Sequence, residues 1–347
     1  MSNPITLAIC AALLFGAAAP FNKILLHPFS PFQLAGILYL GAGLGAFVLL
    51  KSRGESLGIG PKLGKRNAVR LAMSVLFGGI LGPLFLLKGL EISQAGTVSL
   101  WLVMEMVLTA LLGHLFFKDY LGKSGWIGAA GCLAGSVFLS LGDGSEGLKA
   151  GVWVMLACFC WAIDNNFTAL IDALKPLQST FWKGVVAGSL NLLIGLLCFP
   201  FHANESAVIL GLLLGALSYG ASLALYIQAA QSLGAVRSQM IFASAPFFGL
   251  SLSSLLLREG LGWVQGAAAI LFGGSLFFLF RERHSHWHEH VALEHIHAHR
   301  HDDGHHVHVH TGSPGSLYHS HSHQHEPIAH THPHWPDLHH RHEHRGN

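Results

Sequence analysis

Long apolar runs fill the chain up to about residue 281, and short polar or Gly/Pro-rich breaks separate them. Runs such as "LAMSVLFGGILGPLFLL" and "AVILGLLLGALSYGASLALYIQAA" approach or exceed the ~20 residues that cross a hydrocarbon core of ~30 Å. Because backbone groups in lipid must bond to one another, runs of this length indicate helices. The breaks predict ten spans near residues 4–22, 31–50, 68–88, 96–117, 123–142, 149–171, 179–200, 207–229, 236–257 and 263–280.

Composition agrees with a membrane protein, since 51% of the 347 residues are hydrophobic and only 11% are charged. Soluble domains average ~25% charged residues. The five cysteines lie in apolar runs without a CxxC pair, which favours buried thiols over a disulfide framework. The sequence has no P-loop, Rossmann fingerprint, nucleophile elbow or HExxH pattern, so we expect neither an enzyme nor a required cofactor.

The distribution of lysine and arginine predicts the orientation, because cytoplasmic loops retain basic residues. With the loop at 51–70 inside, both termini are cytoplasmic and thirteen basic residues lie inside against four outside. The inside set is Lys51, Arg53, Lys62, Lys65, Arg66, Arg70, Lys118, Lys123, Lys175, Lys183, Arg237, Arg281 and Arg283, and the outside set is Lys23, Lys88, Lys149 and Arg258.

The two halves of the apolar region repeat one another. "FKDYLG" at 117–122 matches "LREGLG" at 257–262, a spacing of 140 residues, and "WIGAAGCLAG" at 126–135 is similar to "VQGAAAILFG" at 264–273. Five helices is an odd number, so the second copy enters the membrane upside down, as in many secondary transporters. The predicted fold is an all-α integral membrane protein with ten transmembrane helices. It comprises two inverted five-helix repeats (1–142 and 143–281) and a disordered His-rich tail (282–347).

"KDYLGKSGWIGAAGCLAG" in the first copy and "ASAPFFGLSLSSLLLREGLGWVQGAAAILFGG" in the second resemble the drug/metabolite transporter superfamily with two EamA-type repeats. The resemblance implies a secondary transporter, whose superfamily handles amino acids, nucleotide precursors, sugars and drugs. Such families commonly have a proline where the fourth helix carries Met106. Only the second copy of this chain keeps that proline, as Pro246.

Ionisable residues inside predicted spans are functional candidates, because each costs at least a few kcal/mol to bury. Glu105 lies in the fourth span and Asp164 in the sixth, at depths that differ by ~7 Å. An apolar cavity disfavours the charged form of a carboxyl, so such a pair suits proton coupling. The alternative is helix–helix hydrogen bonding without a part in transport. The predicted substrate or coupling residues are Glu105, Asp164, Asn165, Asn166, Asn191 and Tyr219.

The tail holds 23 of the 26 histidines, largely as H-x-H units. In an extended chain residues two apart point to one side, so their imidazoles can close on Zn²⁺, Ni²⁺, Co²⁺ or Cu²⁺. The alternative is a solvated tail that binds metal only opportunistically. The predicted metal ligands are His284, His286, His288, His290, His295, His297, His299, His301, His305, His306, His308, His310, His319, His321, His323 and His325.

These features predict a plasma-membrane exporter of a small metabolite or a divalent metal cation, with a metal-binding cytoplasmic tail. Two alternatives stay open: an exporter of an amino acid, another organic metabolite or a drug, whose tail only senses or buffers metal, and a metal-binding membrane sensor that transports nothing. The expected partners are the lipid bilayer and the small-molecule or metal substrate. A homodimer stays open, and no nucleic acid is expected.

Overall fold

A computed structural model of the chain shows a bundle of apolar helices followed by paired strands. It describes residues 3–58, 63–117, 122–142, 144–168, 170–171, 174–233, 241–281, 284–290, 293–300, 318–325 and 328–334. Seven helical stretches in these ranges are long and apolar enough to cross a membrane by length and composition, and two shorter apolar helices follow them.

The first copy of the repeat contains interrupted helices. A break at Ala17 divides the first span, a break at Leu102 divides the fourth, and a π-helical segment named π1 lies inside the third. The elements are α1 (Pro4–Gly16), α2 (Ala18–Leu25), α3 (Pro31–Ser52), α4 (Gly64–Met73), π1 (Ser74–Leu81), α5 (Gly82–Ile92), α6 (Ala95–Trp101), α7 (Val103–Phe117) and α8 (Lys123–Gly142).

The second copy has a matching π-helical segment, π2, in its third helical stretch. The elements are α9 (Gly144–Thr168), α10 (Pro176–Cys198), α11 (Glu205–Leu214), π2 (Gly215–Ala221), α12 (Ser222–Leu233), α13 (Ala245–Leu257) and α14 (Trp263–Arg281). Each of the ten predicted segments therefore contains helix where the structure describes it. The predicted sixth and seventh segments start three to five residues too late.

Small residues let helices from the two copies approach closely. A Cβ at Gly184 in α10 would lie 2.6 Å from the backbone nitrogen of Gly43 in α3, and one at Gly131 in α8 would meet Ser275 in α14. Such small residues allow the close helix–helix packing that is common in membrane proteins. Three of the cysteines (Cys132, Cys158 and Cys160) are buried and all five are free thiols, whereas Cys10 and Cys198 are exposed.

Pro83 follows π1 and removes one backbone donor from this part of the helix. Proline has no backbone N–H, so it cannot bond to the carbonyl four residues earlier, which belongs to Gly79. The Gly82 N–H bonds instead to Phe77 O, the i to i−5 pattern of a π-helix. In π2 the N–H of Ser222 reaches Leu217 O in the same pattern. The two π segments begin 141 positions apart, close to the spacing between the repeated sequence motifs.

The tail contains four strands, which corrects the prediction that it is disordered throughout. β1 (His284–His290) pairs antiparallel with β4 (Ile328–His334), and β2 (Leu293–Arg300) pairs antiparallel with β3 (Tyr318–His325). The H-x-H rhythm of the tail has the two-residue period of a strand. Both pairs are two-stranded, and such a pair without an apolar face is marginally stable in water.

Candidate functional site

An ion pair between Asp164 of α9 and Lys183 of α10 lies inside the helix bundle. Lys183 Nζ is 2.6 Å from Asp164 Oδ2 and 2.8 Å from Oδ1, and the two side chains are 16% and 9% exposed. Asp164 Oδ1 also accepts hydrogen bonds from the hydroxyls of Ser74 and Thr168. The carboxylate thus has four polar contacts from three side chains, of which Lys183 and Ser74 belong to other helices and Thr168 lies one helical turn away.

The π1 segment brings this ion pair against the helix backbone. Gly78 has no side chain, and a Cβ there would overlap the carboxylate of Asp164. Gly78 O accepts hydrogen bonds from Tyr39 Oη and from Trp161 Nε1, the latter at 3.0 Å. These donors satisfy a carbonyl that the i to i−5 pattern leaves without a backbone partner.

Asn191 donates a hydrogen bond to a second backbone carbonyl of π1, that of Gly79. Its Nδ2 donates to Gly79 O at 3.0 Å, the acceptor that Pro83 cannot serve. Both Asn191 and the neighbouring Ala187 are fully buried against this segment. The amide of α10 therefore replaces a backbone hydrogen bond in the helix that contacts Asp164.

Glu105 and Asn165 connect the two copies of the repeat. Asn165 Nδ2 donates to Glu105 Oε1 at 2.9 Å and to Thr109 Oγ1 at 3.3 Å, and the Thr109 hydroxyl donates to Glu105 O. Glu105 follows the break at Leu102 and is half-buried, whereas Asn165 is exposed. Asn165 directly follows Asp164 in α9, so the two predicted carboxyl groups belong to adjacent parts of one polar region.

The other two predicted residues have structural contacts of their own. Asn166 is buried and donates to Ala162 O at 2.9 Å and Thr109 O at 3.3 Å, which ties α9 to α7. Tyr219 lies in π2, and its hydroxyl accepts from Asn22 Nδ2 at 3.4 Å. Neither side chain contacts the ion pair among the hydrogen bonds of the described residues, although Tyr219 stacks at an angle beside Tyr39.

Sequence reasoning missed the partner of Asp164. Lys183 was assigned to the cytoplasmic set of basic residues, but it lies eight residues into α10, which begins at Pro176. The predicted boundary at 179 placed Lys183 near the helix end, whereas α10 begins three residues earlier in the structure. Ser74, Tyr39 and Trp161 carried no comparable signal, since each is an ordinary residue within an apolar run.

A small cavity lies between the two copies. It has room for ~20 Å³, about one water molecule. Residues of α1, α6 and α9 line it together with Tyr219 and Pro246, the proline that only the second copy keeps. No path of metabolite size therefore runs through this cavity in the described conformation.

Polar contacts of Lys23 and Glu259, together called the clasp, line an open vestibule. Lys23 Nζ donates to Leu90 O and to Ser93 O, the latter at 2.9 Å. The Glu259 carboxylate accepts from the backbone nitrogens of Ala95 at 2.8 Å and Gly96 at 2.9 Å. The clasp thus fixes the turn between α5 and α6, and it forms part of a vestibule of about 380 Å³.

Lys23 differs from Lys88, the next basic residue of the outside set, in what it contacts. It contacts two backbone carbonyls, whereas Lys88 forms an i,i+3 ion pair with Glu91 at 2.7 Å. Among the described residues of 3–281, no group of three or more His, Cys, Asp or Glu side chains could hold a metal ion. The predicted ligands His301, His305, His306, His308 and His310 lie outside the described residues.

A match to a protein-family model decides which family the chain belongs to. The EamA-like transporter family matches the chain twice, over residues 2–141 and 148–281. The chain belongs to the EamA-like transporter family. The two matches confirm the two copies of the EamA-type repeat, and with the apolar helices they make this a multi-pass membrane protein of a transporter family.

Relatives and a solved structure agree with this assignment. An uncharacterized transporter of Methanothermobacter thermautotrophicus is 26% identical over 294 residues, covering 78% of this chain and 84% of its own. An uncharacterized transporter of Synechocystis is 26% identical over 285 residues, covering 74% and 83%. A crystal structure of 18% identity has a TM-score of 0.58 and covers 80% of this chain and 97% of its own, which shows a shared fold.

Proposed function

We propose that this EamA-family protein is a proton-coupled secondary transporter of a small polar organic metabolite in the plasma membrane. In this proposal its two copies are inverted five-helix repeats, which together form ten spans around a central site. The observation that carries the proposal is the buried Asp164–Lys183 ion pair. Ionisable side chains within membrane-length helices mark substrate or proton pathways by default.

Stability alone is a poor explanation for this ion pair. Desolvating two charges offsets most of their attraction, and well-packed apolar residues of similar volume are often equally stabilising. The pair therefore suits a role in which Asp164 exchanges its cationic partner. A proton or a positively charged substrate group competes with Lys183 for the carboxylate, and the released ammonium is then free to bind an anionic substrate group.

Glu105 provides a second exchangeable group on the opposite copy. Its hydrogen bond from Asn165 reaches α9 one residue after Asp164, so a change in the charge of either carboxyl alters the same helix. Coupling requires two sites whose occupancy biases the same conformational equilibrium. The proposal assigns proton exchange to this pair of carboxyls.

The described conformation suits the occluded or one-sided state of an alternating-access cycle. The central cavity holds about one water molecule. In this proposal the Lys23 and Glu259 contacts beside the vestibule restrict access to it. Transport then requires these contacts to open. The breaks at Ala17 and Leu102 and the two π segments lie in the helices that would have to move.

The described residues of 3–281 favour an organic substrate over a divalent metal as cargo. They contain no group of three or more His, Cys, Asp or Glu, which a transported borderline metal would need as ligands. The central polar region instead offers one ammonium, two carboxyls and several amides and hydroxyls. That set suits a small molecule with both charged and hydrogen-bonding groups.

Flux measurements in proteoliposomes test the proposal. Full-length protein and an Asp164→Asn variant are assayed with amino acids, small organic cations and Zn²⁺, each with and without an imposed pH gradient, in both directions. We expect at least one organic solute to move faster with the gradient, and the variant to lose that dependence. Absence of flux for every organic solute, or flux that ignores the gradient, contradicts the proposal.

A further inference from the structure

The small cavity between the two copies corresponds in sequence to the place of the ion pair. The two family matches begin at residues 2 and 148, a spacing of 146, which makes Ala18 of α2 the counterpart of Asp164 of α9. The π segments begin 141 positions apart, which makes Tyr219 of π2 the counterpart of Gly78 of π1. Asp164 lies against Gly78, whereas Ala18 and Tyr219 line the cavity together. The chain thus has a charged site and an uncharged counterpart.

Asn22 is a buried amide with an unpaired acceptor beside this cavity. The residue is 0% exposed, and its Oδ1 has no hydrogen-bond partner among the described residues. Its Nδ2 donates to the Tyr219 hydroxyl at 3.4 Å, and no described contact gives that hydroxyl an acceptor for its own proton. Buried polar atoms in native proteins nearly always have a partner, so an exception calls for a reason. Asn22 and Tyr219 together offer one acceptor and one donor to a bound group.

The cavity wall contains further oxygens that can only accept. Ser99 lines the cavity and donates its proton to Ala95 O at 2.8 Å, so its oxygen can accept a hydrogen bond but not donate one. Gly16 also lines the cavity, and an α-helix would direct the N–H of residue 20 to its carbonyl. Residue 20 is Pro20, which has no N–H. A group bound here is therefore expected to donate at least one hydrogen bond.

The charge and the size of the cavity narrow the choice to a hydroxyl. No Asp, Glu, Lys, Arg or His is among the residues that line it. A charged group placed there would lose its hydration without a counter-charge, which is strongly unfavourable. The room of ~20 Å³ suits one oxygen with its hydrogen, whereas a primary amide is larger. A hydroxyl can donate to Asn22 Oδ1 and accept from the Tyr219 hydroxyl at the same time.

Aromatic side chains connect this cavity to the ion pair. Trp161 lines the cavity and donates to Gly78 O at 3.0 Å. Tyr39 donates to the same carbonyl, and its ring centroid is 6.0 Å from that of Tyr219. The Asp164 carboxylate also lies against Gly78. Trp161 therefore borders both the cavity and the residue that the carboxylate contacts.

We infer that the cavity is a hydroxyl subsite, and that the transported solute is a small charged metabolite with a hydroxyl near its charged group. The inference rests on the proposed function, because it takes Asp164 and Lys183 as the groups that serve the charged end. Asn22 Oδ1 accepts the hydroxyl proton, and the Tyr219 hydroxyl donates to the hydroxyl oxygen. A solute that reaches both places requires the contact between Tyr39 and Tyr219 to open during the cycle.

Three pairs of solutes test the inference, because the members of each pair differ only by a hydroxyl. They are ethanolamine and ethylamine, serine and alanine, and lactate and propionate, which are cationic, zwitterionic and anionic pairs. Full-length protein in detergent is titrated with each solute at fixed pH in an isothermal calorimeter. In at least one pair the hydroxylated member should bind ~10-fold more tightly, since its analogue leaves buried groups unpaired. Asn22→Leu and Tyr219→Phe should each bring that ratio close to one.

Ser140→Ala is the matched control. Ser140 is also buried with an unpaired hydroxyl among the described residues, but it lies in α8 and does not line the cavity, so the ratio should not change. Thermal unfolding in detergent establishes that each variant is folded. Equal affinity within every pair, including no binding by any of the six solutes, overturns the inference. A ratio that survives both Asn22→Leu and Tyr219→Phe also overturns it. Binding is measured without a pH gradient, so a failure of the proposed proton coupling would be seen only in the flux assay.

Discussion

Asn165 Nδ2 lies 2.9 Å from Glu105 Oε1, and this hydrogen bond joins the two copies of the repeat beside the Asp164–Lys183 ion pair. Neither residue is unusual alone. Their contact matters because Glu105 follows a helix break in the first copy, whereas Asn165 lies next to Asp164 in α9 of the second copy.

Asp164→Asn should destabilise the protein and abolish transport. The substitution leaves Lys183 as a mostly buried charge without its counter-ion, which costs ~3–5 kcal/mol in buried pairs. The exposure of Lys183 places the expected loss toward the lower end of that range. Thermal unfolding in detergent measures the stability, and proteoliposome flux measures the transport.

The double variant Asp164→Asn with Lys183→Met separates the two effects. Removing both charges should restore most of the lost stability but none of the transport, because the exchangeable carboxyl is gone. Gradient-driven flux at the unmodified rate in the double variant would reduce the ion pair to a structural contact.

Glu105→Gln should keep the fold and lose the coupling. The Gln side-chain oxygen can still accept from Asn165, so we expect unfolding temperatures within a few degrees of the unmodified protein. The amide cannot exchange a proton, so solute exchange should persist while acceleration by a pH gradient disappears. An undiminished response to the gradient would exclude Glu105 as a coupling group. Thr109→Val serves as the control, because it removes a neighbouring hydroxyl without changing any titratable group.

Gly78→Ala should disturb the ion pair through its volume alone. The added methyl would occupy the space of the Asp164 carboxylate, and overpacking in a close-packed interior costs ~1–3 kcal/mol. Gly274→Ala is the matched control, since no atom lies within 4 Å of its Cβ position. Thermal unfolding should separate the two variants. Equal stability would mean that the carboxylate relaxes away without cost.

Asn191→Ala should destabilise the bundle, and a second substitution should reverse the effect. The single change leaves Gly79 O buried without a donor, at a cost of ~1–3 kcal/mol. Adding Pro83→Ala restores the backbone N–H that an α-helix would direct to that carbonyl. Thermal unfolding of the four proteins in this cycle should give a positive coupling energy between the two positions. Strict additivity would show that Asn191 does not substitute for the missing N–H.

Lys23→Met should loosen the clasp beside the vestibule. The variant loses the contacts to Leu90 O and Ser93 O, so a membrane-impermeant thiol reagent should label a cysteine placed at Ser99 faster than in the unmodified background. Lys88→Met is the control, because its lysine pairs only with exposed Glu91 among the described contacts. Equal labelling rates in both variants would show that the Lys23 contacts do not close the passage.

The sequence predicted the helical architecture well because the requirement for ~20 apolar residues is local. Glu105 and Asp164 were also recognisable, since a charge within an apolar run is conspicuous. The contact of Lys183 with Asp164 was not predicted, because a lysine near a helix end normally extends to the membrane surface. Only the packing of π1 against both α9 and α10 brings the two side chains together. The roles of Tyr39, Trp161 and Asn191 depend on carbonyls that π1 frees, and no local pattern reports those.

The π segment in the helical stretch from Gly64 to Ile92 also determines how far this stretch can shift. A π segment holds one more residue than the α pattern needs over the same hydrogen-bonded turn. Conversion of π1 to α geometry would turn everything beyond it by ~100° and advance it by ~1.5 Å, one residue step of the helix. That step would move the C-terminal end of α5 relative to the carboxylate of Asp164. This end includes Leu90, whose carbonyl accepts a hydrogen bond from Lys23. A conversion of this kind would therefore change the distance between the ion pair and the clasp by a fixed amount, one residue step of the helix.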